Sequence, residues 1–180
     1  MAVSYTHLDV YKRQASGLKD PYIVIMDFDA KKQKEWCDSL RCQALSCYAF
    51  SKNRSNGTYK QLCEDTEWFW NECKNTGAQV VPTVMAGWDR RPRIIHPMPW
   101  EIFQQPGVGL DKYYETATAS ELAAHLRSAI AWMQANKEAC RSQCAIIYAW
   151  NEIDEGGWLL PTLQGGAERL DSIEKVLIRK

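Results

Sequence analysis

PYIVIMDF, residues 21–28, is a near-continuous run of apolar, strand-forming side chains, the pattern of a strand covered on both faces. ALSCYAF (44–50), QVVPTVMAG (79–87) and CAIIYAW (144–150) repeat it three times further along the chain. Between these runs the apolar period changes to that of a helix. Tyr59, Leu62, Cys63, Thr66, Phe69, Trp70 and Cys73 fall on one stripe, opened by a capping box of Thr58 with Gln61 and closed by Gly77. Leu122, Leu126, Ala129, Ile130 and Met133 form a second stripe behind Ser120 as the expected N-cap, and Leu170, Ile173 and Leu177 a third. A shorter helix is expected over 31–40. Strands that alternate with helices call for parallel pairing, because a crossover helix is the usual way to bring the chain back in the same direction.

Four such units suit half of an eight-fold barrel. The 180 residues fall short of the roughly 250 of a complete one, so the expected fold is α/β, the C-terminal half of a (β/α)8 barrel with about four parallel strands and flanking helices. No glycine-rich phosphate loop follows any strand, which argues against a nucleotide-binding doubly wound sheet. Pro82 inside the third run is an oddity for either scheme. The segment 92–118, with three prolines after Pro92 and little periodicity, reads as one extended loop.

Residues 3–14, VSYTHLDVYKRQ, have a different origin. One permitted back-translation turns VSYTH and part of Leu8 into GTCTCTTATACACATC, the reverse complement of GATGTGTATAAGAGAC, which encodes DVYKR and part of Gln14. That inverted repeat resembles the transposase mosaic end used in sequencing-library adaptors. Residues 1–14 are therefore set apart as adaptor-derived, and 15–180 are taken as the partial barrel.

Lys plus Arg equals Asp plus Glu, and no long run of one sign marks a landing strip for phosphate backbones or anionic lipid. Neither nucleic acid nor membrane is an expected partner. Seven cysteines are scattered without the paired spacing of a zinc site, so no metal and no cofactor is expected. Buried thiols are the first reading of them, a disulfide the second. The compartment is left open, with secretion or a periplasmic location open to a parent protein.

Polar and aromatic residues crowd the C-terminal ends of the runs: Asp27 and Asp29, Tyr48 and Ser51, Trp88 and Asp89, Asn151 and Glu152. In a barrel that end is the active-site face. The sharpest signal is YAWNEIDEGGWLLPTL, 148–163. Glu152 and Glu155 stand three apart where a strand gives way to a Gly-Gly loop, flanked by Trp150, Asn151, Asp154 and Trp158. Glycosidic cleavage needs one carboxyl group to protonate the leaving oxygen and another to assist at the sugar, with aromatic faces and amides to hold the ring. The same spacing is also that of a solvated acidic loop. GWDRRPR, 87–93, places Asp89, Arg90 and Arg93 beside Trp88; arginine forks can clamp sugar hydroxyls, or pair with the acids as a structural cluster.

The two blocks together carry a resemblance. AWNEIDEGGWLLP is similar to the A-W-N-E-x-x-E-G block of barrels related to glycoside hydrolase family 99, including those labelled WbsX-type glycosyltransferases. VPTVMAGWDRRPR resembles their P-x-x-x-x-G-W-D-x-x-x-R block, in the same order and at a comparable interval. The resemblance implies a carbohydrate substrate and retaining hydrolysis of α-linked glycosides, typically α-mannosides. By position Glu152 would act as base on the sugar 2-hydroxyl and Glu155 as general acid and base. Tyr48, Trp88, Asp89, Arg90, Arg93, Trp150, Asn151 and Trp158 are the expected sugar contacts. Ile153 and Asp154 stand where the hydrolases carry Trp and His, so a substrate contact is changed. A sugar-nucleotide transferase and a non-catalytic carbohydrate-binding barrel are the alternatives.

Overall fold

The computed structural model describes Lys12 and residues 15–17, 21–101 and 107–178. Of residues 1–14, set apart in the sequence as adaptor-derived, only Lys12 lies among them. The described chain is a mixed α/β structure with parallel strands and five α-helices. β1 (Val24–Met26) leads into α1 (Ala30–Leu40), then β2 (Ala44–Ser46), α2 (Tyr59–Asn75), β3 (Gln79–Val80) and β4 (Thr83–Met85). A short α3 (Arg91–Ile95) and the long α4 (Ala119–Ala135) precede β5 (Ile146–Tyr148), a hairpin of β6 (Asn151–Glu152) and β7 (Gly157–Trp158), and α5 (Glu168–Leu177).

β1, β2 and β3 form one parallel sheet in chain order, with Val24 opposite Ala44 and Leu45 opposite Val80. β4 and β5 pair in parallel, Thr83 opposite Ile146. The strands are shorter than the apolar runs suggest, and Pro82 explains the division of the third. Having no N–H, it cannot continue a ladder, and β3 and β4 lie on either side of it, one facing β2 and the other β5. Its carbonyl still serves, accepting from the Ile146 N–H at 2.9 Å.

Helix starts follow from side-chain chemistry. Asp29 caps α1, its carboxylate accepting from the N–H groups of Lys31 and Lys32. Thr58 and Gln61 make the expected capping box of α2. For α4 the expectation is corrected: Ser120 lies inside the helix, and the cap is Thr118, boxed with Glu121. The expected loop 92–118 is likewise corrected, because α3 opens it with Pro92 in its first turn, where a missing N–H costs nothing.

Three apolar clusters hold the layers together. Ala30, Cys37, Leu45, Phe69, Cys73 and Val80 join α1 and α2 to the first sheet. Trp70, Val84, Leu122, Leu126, Ala129 and Ile173 join α2, α4 and α5 to the second pair of strands. Tyr59, Leu62, Met85, Tyr114 and Tyr148 gather near the C-terminal ends of β4 and β5, under the residues considered next. Among the described residues no helix is long and apolar enough to cross a membrane.

Candidate active site

Glu152 ends β6, and the chain then makes one tight turn of 3-10 helix, Ile153–Glu155. Glu152, just before the turn, and Glu155, at its end, reach the same guanidinium, that of Arg93. Gly156, at φ 76°, closes the turn and returns the chain as β7, antiparallel to β6. Only glycine fits there: a Cβ would stand 2.5 Å from the Asp89 backbone nitrogen. A Cβ on Gly87 would in turn collide with the Gly156 carbonyl oxygen. The Asp89 N–H donates to the Glu155 carbonyl at 2.6 Å. The two sequence blocks are thus joined backbone to backbone.

That junction aims α3 at the acids. Arg93 donates from Nε to Asp154 Oδ2 at 2.7 Å, from Nη2 to Glu152 Oε2 at 3.0 Å, and from Nη1 to Glu155 Oε1. Arg90 stands beside it, its Nη2 on Glu101 Oε1 at 2.5 Å and its Nε 3.4 Å from Glu155 Oε1. Hydrogen bonding to Arg93 holds the Asp154 carboxyl below its ordinary range, and Asp154 is the main cause that raises Arg93.

Each glutamate also receives a phenol. Tyr48 donates to Glu152 Oε1 at 3.0 Å, and Tyr148 donates to Glu155 Oε2. The rings meet edge to face, centroids 5.0 Å apart. Burial first, then the adjoining carboxylate, pushes both phenols above their usual pKa. The pairs differ in exposure: Glu155 is 8 % exposed and Tyr148 1 %, while Tyr48 is 52 % exposed. One carboxylate is therefore buried and the other part-exposed.

The remaining expected contacts divide. Trp88 is half-buried and tilts against Tyr148, centroids 5.8 Å apart. Trp150 is exposed, and its carbonyl accepts from Leu159 and Leu160; Asn151 is exposed beside it. Asp89 is engaged by Arg91, which forks onto its carboxylate and stacks on Tyr113. Trp158 lies under the Arg169 guanidinium, 4.1 Å away, and lines a different cavity of about 280 Å³ with Thr116, Leu160 and Gln164. Asp27 and Asp29, grouped with the strand ends in sequence, bond to local N–H groups instead.

Tyr148, Asp154 and Glu101 belong to the site and were absent from the expected contacts. Tyr148 was findable, since strand alternation gives it the face of Ile146. Among the described residues no group of three or more His, Cys, Asp or Glu is disposed to hold a metal ion. No family model, no curated protein and no solved structure matches the chain.

Proposed function

We propose that the chain is the C-terminal half of a (β/α)8 barrel that hydrolyses α-linked glycosides, α-mannosides foremost, with retention. The strand succession supports the barrel: β1, β2 and β3 pair in order, and β4, directly beyond Pro82, pairs with β5, all parallel. The observation that carries the chemistry is the convergence of Glu152 and Glu155 on one arginine, each fixed by a tyrosine, at the C-terminal ends of the strands.

On this reading Glu152 takes the proton of the sugar 2-hydroxyl as that oxygen closes on the anomeric carbon. Glu155 gives a proton to the departing glycosidic oxygen. Water, deprotonated by Glu155, then opens the anhydro-sugar, and Glu152 returns its proton to the 2-oxygen. Arg93 sets a condition on the first step. Arg93 occupies Glu155 Oε1, so a glycosidic oxygen that meets Glu155 has to displace that contact as the sugar enters. The exposed rings of Tyr48 and Trp150 supply faces for the ring to rest on.

The same arginine favours a second reading, a carbohydrate-binding barrel without turnover, in which the acids serve to anchor Arg93. One experiment separates the two. The parent protein is assayed for reducing sugar released from α-glycans, alongside its Glu155→Gln variant. Hydrolysis lost in the variant with binding retained supports catalysis. Binding without turnover in the wild type supports the second reading, and transfer from a sugar nucleotide alone refutes both.

A further inference from the structure

At the junction of α1 and β2, the residue after the helix, Arg41, is left-handed (φ 56°, ψ 40°). Its N–H donates to the Asp38 carbonyl at 3.4 Å, and the Cys42 N–H donates to the Cys37 carbonyl at 2.9 Å. Those two bonds define a helix end in which the side chains on either side of the closing turn meet, ordinarily as an apolar contact. Here both positions are cysteine. The Cys37 thiol donates to the Cys42 carbonyl at 3.2 Å, and both thiols are free.

The geometry suits a bond between them. A direct backbone hydrogen bond of 2.9 Å between two residues limits their Cα separation to at most about 6.8 Å by standard bond lengths. Disulfides span Cα distances of roughly 4.4–6.8 Å. Cys37 is buried at 5 % exposure and Cys42 is part-exposed, so a reagent reaches Cys42 first. Burial pushes both thiols up, and the neighbouring Cys42 pushes Cys37 further, which makes exchange slow. Slow exchange belongs to a structural bond more than to a rapid sensor.

We propose that Cys37 and Cys42 are a disulfide-forming pair that staples the end of α1 to the approach to β2 when the chain meets a low-molecular-weight disulfide. The Cys42 thiolate attacks one sulfur of the reagent, forming a mixed disulfide and releasing one thiolate. The Cys37 thiolate then attacks the Cys42 sulfur, closing the bond and releasing the second thiolate. The two protein protons end on the two released thiols, so the reagent is reduced by two electrons and the protein oxidised by two. Nothing in this step depends on the carbohydrate reading.

The test uses the full chain with oxidised glutathione, followed by alkylation and trypsin, which cuts after Lys34, Arg41 and Lys52. Peptide 35–41 is expected joined to peptide 42–52, with fragment-ion sequencing placing the link on Cys42 and not on Cys47. The oxidised chain should unfold a few degrees above the reduced one, and Cys42→Ser should abolish both effects. Peptide 35–41 recovered alkylated, carrying glutathione, joined through Cys47 or joined to a second chain overturns the proposal. Because the wild-type peptides are read directly, a poorly folding variant does not decide the outcome.

Discussion

Replacing Arg93 by methionine tests whether the convergence of charges stabilises the chain. Methionine keeps most of the volume of the stem while removing the fork, so Glu152, Asp154 and Glu155 lose their common cation. Breaking a buried ion pair from one side costs about 3–5 kcal/mol. The Arg93 side chain is 18 % exposed, and Glu155 keeps Tyr148 and Arg90, so the expected loss is about 2–4 kcal/mol. For a chain of this size that corresponds to a Tm roughly 4–16 °C lower. The pH dependence sharpens the test. The Asp154 pKa is depressed in the folded state, so its contribution is present above the ordinary carboxylate range and is lost as pH falls through the folded value. Thermal unfolding followed by circular dichroism should therefore give a gap between wild type and variant that is full at neutral pH and narrows below about pH 4. A shift under 2 °C at neutral pH, or a gap that does not narrow in acid, would refute the claim that Arg93 binds the acids with appreciable energy.

Two further outcomes concern the scaffold. Arg169 is buried and donates to the carbonyls of Ala86, Trp158 and Ala117, so Arg169→Met strands three acceptors and should cost about 3–5 kcal/mol in chemical denaturation; a loss under about 1 kcal/mol contradicts that role. His125, stacked on Trp70, is held neutral by burial with its pKa lowered to about 4, below the ordinary 6.5. The unfolded chain takes up the proton first, so stability falls as pH drops from 6.5 toward 4, and His125→Phe should flatten that slope in unfolding curves across the interval.

Local chemistry was legible in the sequence to the extent that it is local. The parallel runs, the capping box of Thr58 with Gln61 and the apolar stripe of α2 depend on neighbours a few residues away, and the chain displays them. The cap of α4 was misplaced because Ser120 and Thr118 are both good caps, and only Glu121 three residues after Thr118 distinguishes them. The segment 92–118 read as loop throughout for its prolines and lack of periodicity, although a proline in the first turn, as Pro92 is in α3, is compatible with a helix. Within the site, the E-x-x-E spacing announced that two carboxylates could share a side. It could not announce what they would meet, since Arg93 lies 59 residues from Glu152 and Tyr48 lies 104 residues from it. Pairings of that separation are set by how β4 and β5 come to lie together. Sugar and acid were both open as partners of the arginines in GWDRRPR, and acids from both blocks are what they meet: Arg91 takes Asp89 from its own block, and Arg93 takes acids from the other.

The contact between Gly87 and Gly156 has a mechanical consequence. It leaves no slack through which the acidic turn could slide past the segment carrying the arginines, so the two must shift as one piece. A substitution or insertion that lengthens either loop would displace cation and anions together, and a new spacing between the two glutamates could arise only through matched changes on both sides of that seam.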